Sequence, residues 1–471
     1  MVRPDTIRFR DTPARLYFFG SSSLLALYLL IGIKMDFFIA AAASTALLAA
    51  AVLVYGMIRL PALGVGLMII GTSLDVVGRI GGLPVTVFHV GVVLTLFAVL
   101  INQLARRDLD LHGTTFGLPL ALFILLITMS LFHSPVMPEG ALHLVRLLAL
   151  VLVMYLVINA VQNPAGIYLT LASLILSAAV LSAIAARSIA GTSTSLMQAA
   201  VGFLRVFGRF GVTFENPNYF ATYLMLALVI AASLVLNGRL ALWLRLVILG
   251  LSAITAVAFV GTFSRAAWVS AVPGLAVVSS YSRYRKSIFL ALSAAVVIAV
   301  AVLWNSLLFQ SFIMRLSSVT DATRDPSNAT RILLMLGGLE MAADACFLGV
   351  GFRAFPFYYE HFYRPPTQQL YNVVEAHTLP LEILAELGII GLALFSWILV
   401  QFFRYTHQSI IHMTHTRIRA CQIAVLAGMT GFLVNALFSP GQLQGNFLWI
   451  GFGLAYAIDR VGRRDSSPAQ A

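Results

Sequence analysis

Long apolar runs alternate with short polar breaks along most of this chain. Runs long enough to cross a hydrocarbon core, about 20 residues, lie near Leu16 to Ile33, Phe37 to Ile58, Leu60 to Val77, Pro84 to Leu104, Phe116 to Phe132 and Gly140 to Val161. Others lie near Gly166 to Ala186, Tyr219 to Leu236, Leu240 to Val260, Ala266 to Tyr281 and Ser287 to Phe309, with the last group at Pro380 to Phe403, Ile418 to Phe438 and Leu443 to Ile458. The runs are continuous rather than alternating, which predicts helices and excludes a transmembrane barrel. A lone helix satisfies its own backbone in lipid. The expected fold class is all-α, a polytopic integral membrane protein with about 12 to 14 transmembrane helices and one main segment outside the bilayer. The count is a range because Leu60 to Val77 and Ala266 to Tyr281 are short enough to be re-entrant or interfacial.

Two polar stretches interrupt the pattern, Arg187 to Asn218 and Gln310 to Thr378. The second is the main extramembrane element, and Arg331 to Asp344 is its clearest helix. The chain thus divides into amino-terminal helices (1–186), helices carrying outward arginine motifs (187–309), the extramembrane segment (310–379), and carboxy-terminal helices with a tail (380–471). Composition agrees: 60% of residues are hydrophobic and 10% charged, far from a soluble domain. The net charge of +12 reads as topology, not as a nucleic-acid surface, because most basic residues sit in short loops. Arg59, Arg106, Arg107, Arg239, Arg283, Arg285, Lys286, Arg404, Arg417, Arg460, Arg463 and Arg464 fall on one side if Arg3, Arg8, Arg10 and Arg15 do. That side is then the cytoplasm, with both termini in it and the first helix retained. Both long polar stretches face outward. Cys346 and Cys421 fall on opposite sides and cannot pair.

Arginines that break this trend are the candidate chemistry. Outward arginines occur in RVFGRFGVTFENPNYFATY (Arg205, Arg209), GTFSRAAW (Arg265) and TRILLMLGGLEMAADACFLGVGFRAF (Arg331, Arg353). A guanidinium drawn into a bilayer costs up to about 3 kcal/mol, so it snorkels or serves an anion. Arg187, Arg315 and Arg364 read as snorkelling. Arg209 and Arg265 read as functional, since two planar forks from different helix ends clamp a diphosphate. Asn218, after Asn216-Pro217, is placed to cap the helix beginning near Tyr219. His377, at a helix start, titrates near neutrality and suits proton abstraction from a hydroxyl. Glu382 and Glu386, on one helix face, would orient a polar neighbour or face a hydrated cavity and carry little weight. His143 and Arg146 would line the same cavity or serve structure. Asp108-Leu109-Asp110 lies in an inner loop and reads as solvated. Asp75 and Arg79 read as a helix-end ion pair. His407, His412 and His415 read as surface histidines, because no carboxylate or cysteine completes a metal set.

Four blocks in order, GRFGVTFENPNYFA, the Ser-Arg of Thr262 to Ala266, TRILLMLGGLEMAADACFLGVGFRAF and AHTLPLEILAELGIIGLALF, resemble the O-antigen ligase and O-antigen polymerase superfamily over about Arg205 to Phe395. The amino-terminal helices are similar only in being hydrophobic. The resemblance implies an inverting, metal-independent glycosyltransferase without a cofactor. It would move a glycan from undecaprenyl diphosphate to an acceptor hydroxyl at the periplasmic face of a bacterial inner membrane. By motif, Arg209 and Arg265 match the diphosphate-binding arginines and His377 the base, with Arg146, Arg205, Asn218, Arg331, Arg353 and Thr378 as secondary candidates. Thr378 departs from the family, which often has asparagine there to meet the acceptor. The expected partners are the lipid-linked glycan donor, a lipid A-core or glycan acceptor, and membrane lipids, with no nucleic acid. The main outward segment, Gln310 to Thr378, is of moderate size, which favours ligation to lipid A-core, while the second outward run, Arg187 to Asn218, weakens that preference; O-antigen or exopolysaccharide polymerisation and transfer to protein are the alternatives. A polysaccharide transporter or flippase is the alternative of another class, although two similar halves with paired broken helices are not found.

Overall fold

A computed structural model describes residues 37–74, 76–80, 83–106, 112–190, 216–286, 326–365, 376–439 and 441–466. The helices among them are α1 (Phe37–Arg59), α2 (Ala62–Gly71), α3 (Val87–Arg106), α4 (Gly117–Ser130), α5 (Met137–Ala160), α6 (Pro164–Ala190), α7 (Pro217–Asn237), α8 (Leu242–Gly261) and α9 (Arg265–Ser280). They continue with α10 (Pro326–Asp344), α11 (Phe355–Tyr358), α12 (Leu379–His412), α13 (Thr416–Ala436) and α14 (Asn446–Ser466). Seven of these described helices, α3, α5, α6, α7, α8, α12 and α13, are long and apolar enough to cross a membrane. The protein is thus helical and reads as multi-pass. The predicted spans Leu16 to Ile33 and Ser287 to Phe309 lie outside the described residues, as do Arg205 and Arg209. The extramembrane helix expected at Arg331 to Asp344 is the C-terminal part of α10.

The predicted span Leu60 to Val77 needs correction. Its helix stops at Gly71, and β1 (Val76–Ile80) pairs antiparallel with β2 (Leu83–Thr86), Ile80 opposite Leu83. Arg79 therefore belongs to a strand rather than to a helix end, its expected partner Asp75 lies outside the described residues, and α3 starts at Val87 rather than at Pro84. The signal was Gly81-Gly82 between two short β-branched runs, a two-residue hairpin connection, hidden by the surrounding hydropathy. These are the only strands among the described residues.

At the centre stands α13, packed against α7, α9 and α14. Its Ala420, Ala424 and Ala427 are buried, and such small residues allow backbones to approach closely where lipid gives no hydrophobic drive between helices. Around it, α2 packs on α3 and α6, α5 on α14, and α4 and α10 on α12. The opposite arrangement holds for α8, where Leu242, Trp243, Leu246, Val247 and Val257 are exposed, as a lipid-facing surface requires.

Side-chain bonds sort the connections into two ends. At one end, Asn102 donates to the Ile58 carbonyl at 2.5 Å, the His112 N–H to Asn159 Oδ1, and Arg460 to the Val161 carbonyl. Tyr281 bonds His407 there, and Tyr405 donates to Asp459. These are the loops whose basic residues were read as one side of the bilayer. At the other end lie the α4–α5 turn, the starts of α7 and α9, the segment from α10 to α12, and the α13–α14 turn.

Candidate active site

The second end is organised by a break in α12. Gly388 has φ 70° and ψ −170°, a backbone region open essentially to glycine alone. Breaking the helix frees backbone groups that lipid would leave unsatisfied. The CFLGVGF stretch after α10 supplies them: Ile389 donates to the Phe347 carbonyl, Val350 to that of Ala385, and Gly351 to that of Glu386, each at 2.9 Å. Gly349, at φ 91°, permits this approach, for a Cβ there would lie 2.6 Å from the Gly388 nitrogen. The same loop is tied to the α4–α5 turn, where the Phe352 N–H donates to Ser130 and Ser134 donates to the Phe352 carbonyl, both at 3.2 Å.

Glu386 is the pivot of the clasp. Its buried carboxylate accepts the Arg353 N–H at 2.9 Å and the Phe355 N–H at 3.2 Å. One turn earlier, Glu382 forms an ion pair with the Arg353 guanidinium at 3.7 Å, both side chains about nine-tenths buried. Sequence reasoning gave these glutamates little weight, but they hold Arg353. The three glycines flanking FRAF and EL were the available signal, since glycines facing an acidic helix start mark a close backbone approach.

His377 lies just before this helix. It adopts φ 56°, a left-handed conformation uncommon for side-chain-bearing residues. Its Nδ1 is buried without a hydrogen-bond partner among the described residues. Burial, then the nearby Arg331 guanidinium, lower its pKa from 6.5 to about 4, so the ring is neutral at physiological pH. Thr378 stands at the N-cap position of α12; its carbonyl accepts the Glu382 N–H at 3.0 Å, while its side chain makes no cap bond. Non-glycine residues with positive φ gather at this end: Phe263, Cys346, Phe347, Arg353 and His377.

Arg265 begins α9 in a second polar group. Ser264, fully buried, donates to Asn218 Oδ1 at 2.8 Å. The expected capping role of Asn218 is corrected here: α7 begins at Pro217, and its cap is Asn216, whose side chain accepts the Asn218 N–H at 2.9 Å. Asn218 is thereby available to tie α7 to the Ser-Arg turn. Below it Thr222 donates to Asn435 at 3.0 Å, fastening α13 to the same column. Arg146 lies exposed on α5, one turn beyond His143, whose Nδ1 meets Gln444 at 2.8 Å. The structure brings Arg331 to His377 and Arg353 to Glu382, and places Arg265 with Asn218. His407, His412 and His415 are exposed, and among the described residues no three His, Cys, Asp or Glu side chains stand together as a metal set.

These features define a class: a multi-pass helical protein with strained, cationic and titratable residues gathered at one end of its bundle. Residues 250–396 match the profile of the O-antigen ligase family, so the chain carries an O-antigen ligase domain in that stretch. This domain indicates glycan transfer of the O-antigen ligase and polymerase kind, on lipid-linked substrates. The match takes in Arg265, Arg331, Arg353, His377 and both glutamates, and starts after Arg209 and Asn218. No curated protein matches the chain.

Proposed function

We propose that the protein is an inverting, metal-independent glycosyltransferase that ligates a glycan from undecaprenyl diphosphate to lipid A-core at the periplasmic face of the inner membrane. The observation that carries this reading is His377, a neutral imidazole beside Arg331 with a buried nitrogen that has no partner among the described residues, next to a helix start locked by Glu386 and Arg353. Such a ring accepts the proton of the acceptor hydroxyl while its oxygen forms a bond to the anomeric carbon. The carbon–oxygen bond to the diphosphate breaks on the opposite face, and the electron pair leaves with undecaprenyl diphosphate. Arg209 and Arg265 hold that leaving group and Arg331 adds positive charge, stabilising the negative charge as it develops. A bound diphosphate also offsets the field of Arg331 on the imidazole, raising its basicity when the donor is present. Arg353, Thr378, Asn218, Arg205 and Arg146 shape the approaches to this centre. With the basic loops cytoplasmic, the site faces outward.

The test is transfer in detergent with purified protein, a lipid-linked donor, and either lipid A-core or a second lipid-linked glycan as acceptor. Product on lipid A-core supports ligation, product on the second glycan assigns polymerisation, and no product without a sealed vesicle favours transport. Arg265→Ala and His377→Ala are expected to leave folded protein that transfers at least about a hundredfold more slowly. Full activity of either variant removes the mechanism.

A further inference from the structure

We propose that the opposite end of the bundle holds a binding site for a phosphate group, carried by a lipid headgroup and gripped by Arg245 and Arg419 with Arg239 and Arg283 at its rim. A cavity of about 330 Å³ opens there between the end of α7, the starts of α8 and α13, and the turn after α9. All four arginines line it, together with Tyr281 and Tyr284, and among the described residues no aspartate or glutamate does. Four guanidiniums around one space repel one another, and an anion in that space relieves them.

Individual side chains argue against cations merely standing in water. Arg245 is half-buried, and its Nε is sealed from solvent without a hydrogen-bond partner among the described residues. Native proteins rarely leave such a donor unused. Arg419, also half-buried, spends its Nε on the Ile410 carbonyl at 3.0 Å, which fixes the guanidinium in place. Arg239 is held at φ 46°, a strained backbone that localises to functional sites. The guanidinium of Arg283 lies 5.3 Å from the Tyr284 ring centre. Forked, preorganised donors of this kind suit phosphate oxygens.

A lipid is favoured over a free ion by what borders the cavity. Arg245 lies on the first turn of α8, whose Leu242, Trp243 and Leu246 form the exposed apolar surface at that end. Acyl chains on this surface bring a headgroup phosphate to the cavity, and basic pockets at the cytoplasmic ends of membrane helices take such headgroups. The site is separate from the proposed chemistry at His377 and does not depend on it.

Native mass spectrometry of the full-length protein in detergent tests the proposal, with dioleoyl phosphatidylglycerol, dioleoylglycerol and inorganic phosphate as probes. Phosphatidylglycerol is expected to bind at least about tenfold more tightly than dioleoylglycerol. Arg245→Gln is expected to weaken it by about tenfold, with the size-exclusion profile checking that the variant is folded. Arg283→Gln, a rim change that disturbs no buried group, is expected to weaken it by a smaller factor and serves if Arg245→Gln does not fold. Equal binding of the two lipids, or unchanged binding by both variants, overturns the proposal. Displacement of the lipid by millimolar inorganic phosphate overturns the lipid and assigns the site to the free ion.

Discussion

Replacing Gly388 with alanine tests the clasp that positions His377, Glu382 and Glu386. At φ 70°, ψ −170° a side-chain-bearing residue costs roughly 1–3 kcal/mol in backbone strain. The added Cβ would also meet the Phe347 carbonyl oxygen and lie 2.6 Å from the Leu348 carbonyl carbon and oxygen. These are backbone atoms, so no rotamer change relieves the clash and the loop must retreat by nearly an ångström. A retreat of that size takes the 2.9 Å bond from Ile389 to Phe347 out of range. Leaving those backbone groups unpaired where lipid offers no partner adds about 1–3 kcal/mol. The sum is about 2–6 kcal/mol. Gly250→Ala is the control, because a Cβ there meets nothing within 4 Å and a mid-helix alanine is favoured by roughly 0.5–1 kcal/mol. Hydrogen exchange across residues 346–355 in detergent reads the difference. A loss of about 3 kcal/mol corresponds to amide exchange about a hundredfold faster, with Gly250→Ala unchanged there. Wild-type protection in Gly388→Ala would show that the helix break is not what holds the loop.

Two other outcomes follow from the same end of the molecule. Because the folded pKa of His377 is lowered to about 4, below its unfolded value of about 6.5, the folded chain binds fewer protons between these values. The stability it contributes is full above pH 6.5 and is lost as pH falls towards 4. The acid limb of kcat/KM, which reports the free enzyme, is therefore expected near pH 4 and to move upward in Arg331→Gln; a limb at pH 6.5 in wild type would refute the burial argument. Glu386→Gln keeps one acceptor but turns an amide N–H₂ towards a backbone N–H, so a loss of about 2–4 kcal/mol is expected. Thermal melting in detergent checks it, and an unchanged melting temperature would mean that the carboxylate does not carry the Arg353 loop.

Most of the described helices were readable from the chain, because hydropathy is a local property of the sequence. The four motif blocks marked His377, Arg265, Arg331 and Arg353, and those positions fall within the matched family domain. The hairpin at Val76 to Thr86 escaped because a short strand pair in an apolar context has the hydropathy of a span. Glu386 was undervalued for a different reason: its partners Arg353 and Phe355 stand 33 and 31 residues away, and helical periodicity says nothing about such pairs. Asn218 was misassigned because capping is decided by a one- or two-residue shift in where the helix starts. Of the cavity's arginines, Arg239 and Arg283 looked like ordinary inner-loop charge, while Arg245 and Arg419 fell inside the predicted spans Leu240 to Val260 and Ile418 to Phe438 and drew no reading. Spacing along the chain sets which segments are helices and which end they reach, whereas broken-helix contacts and clustered arginines depend on how distant helix ends meet, and only their packing brings these together.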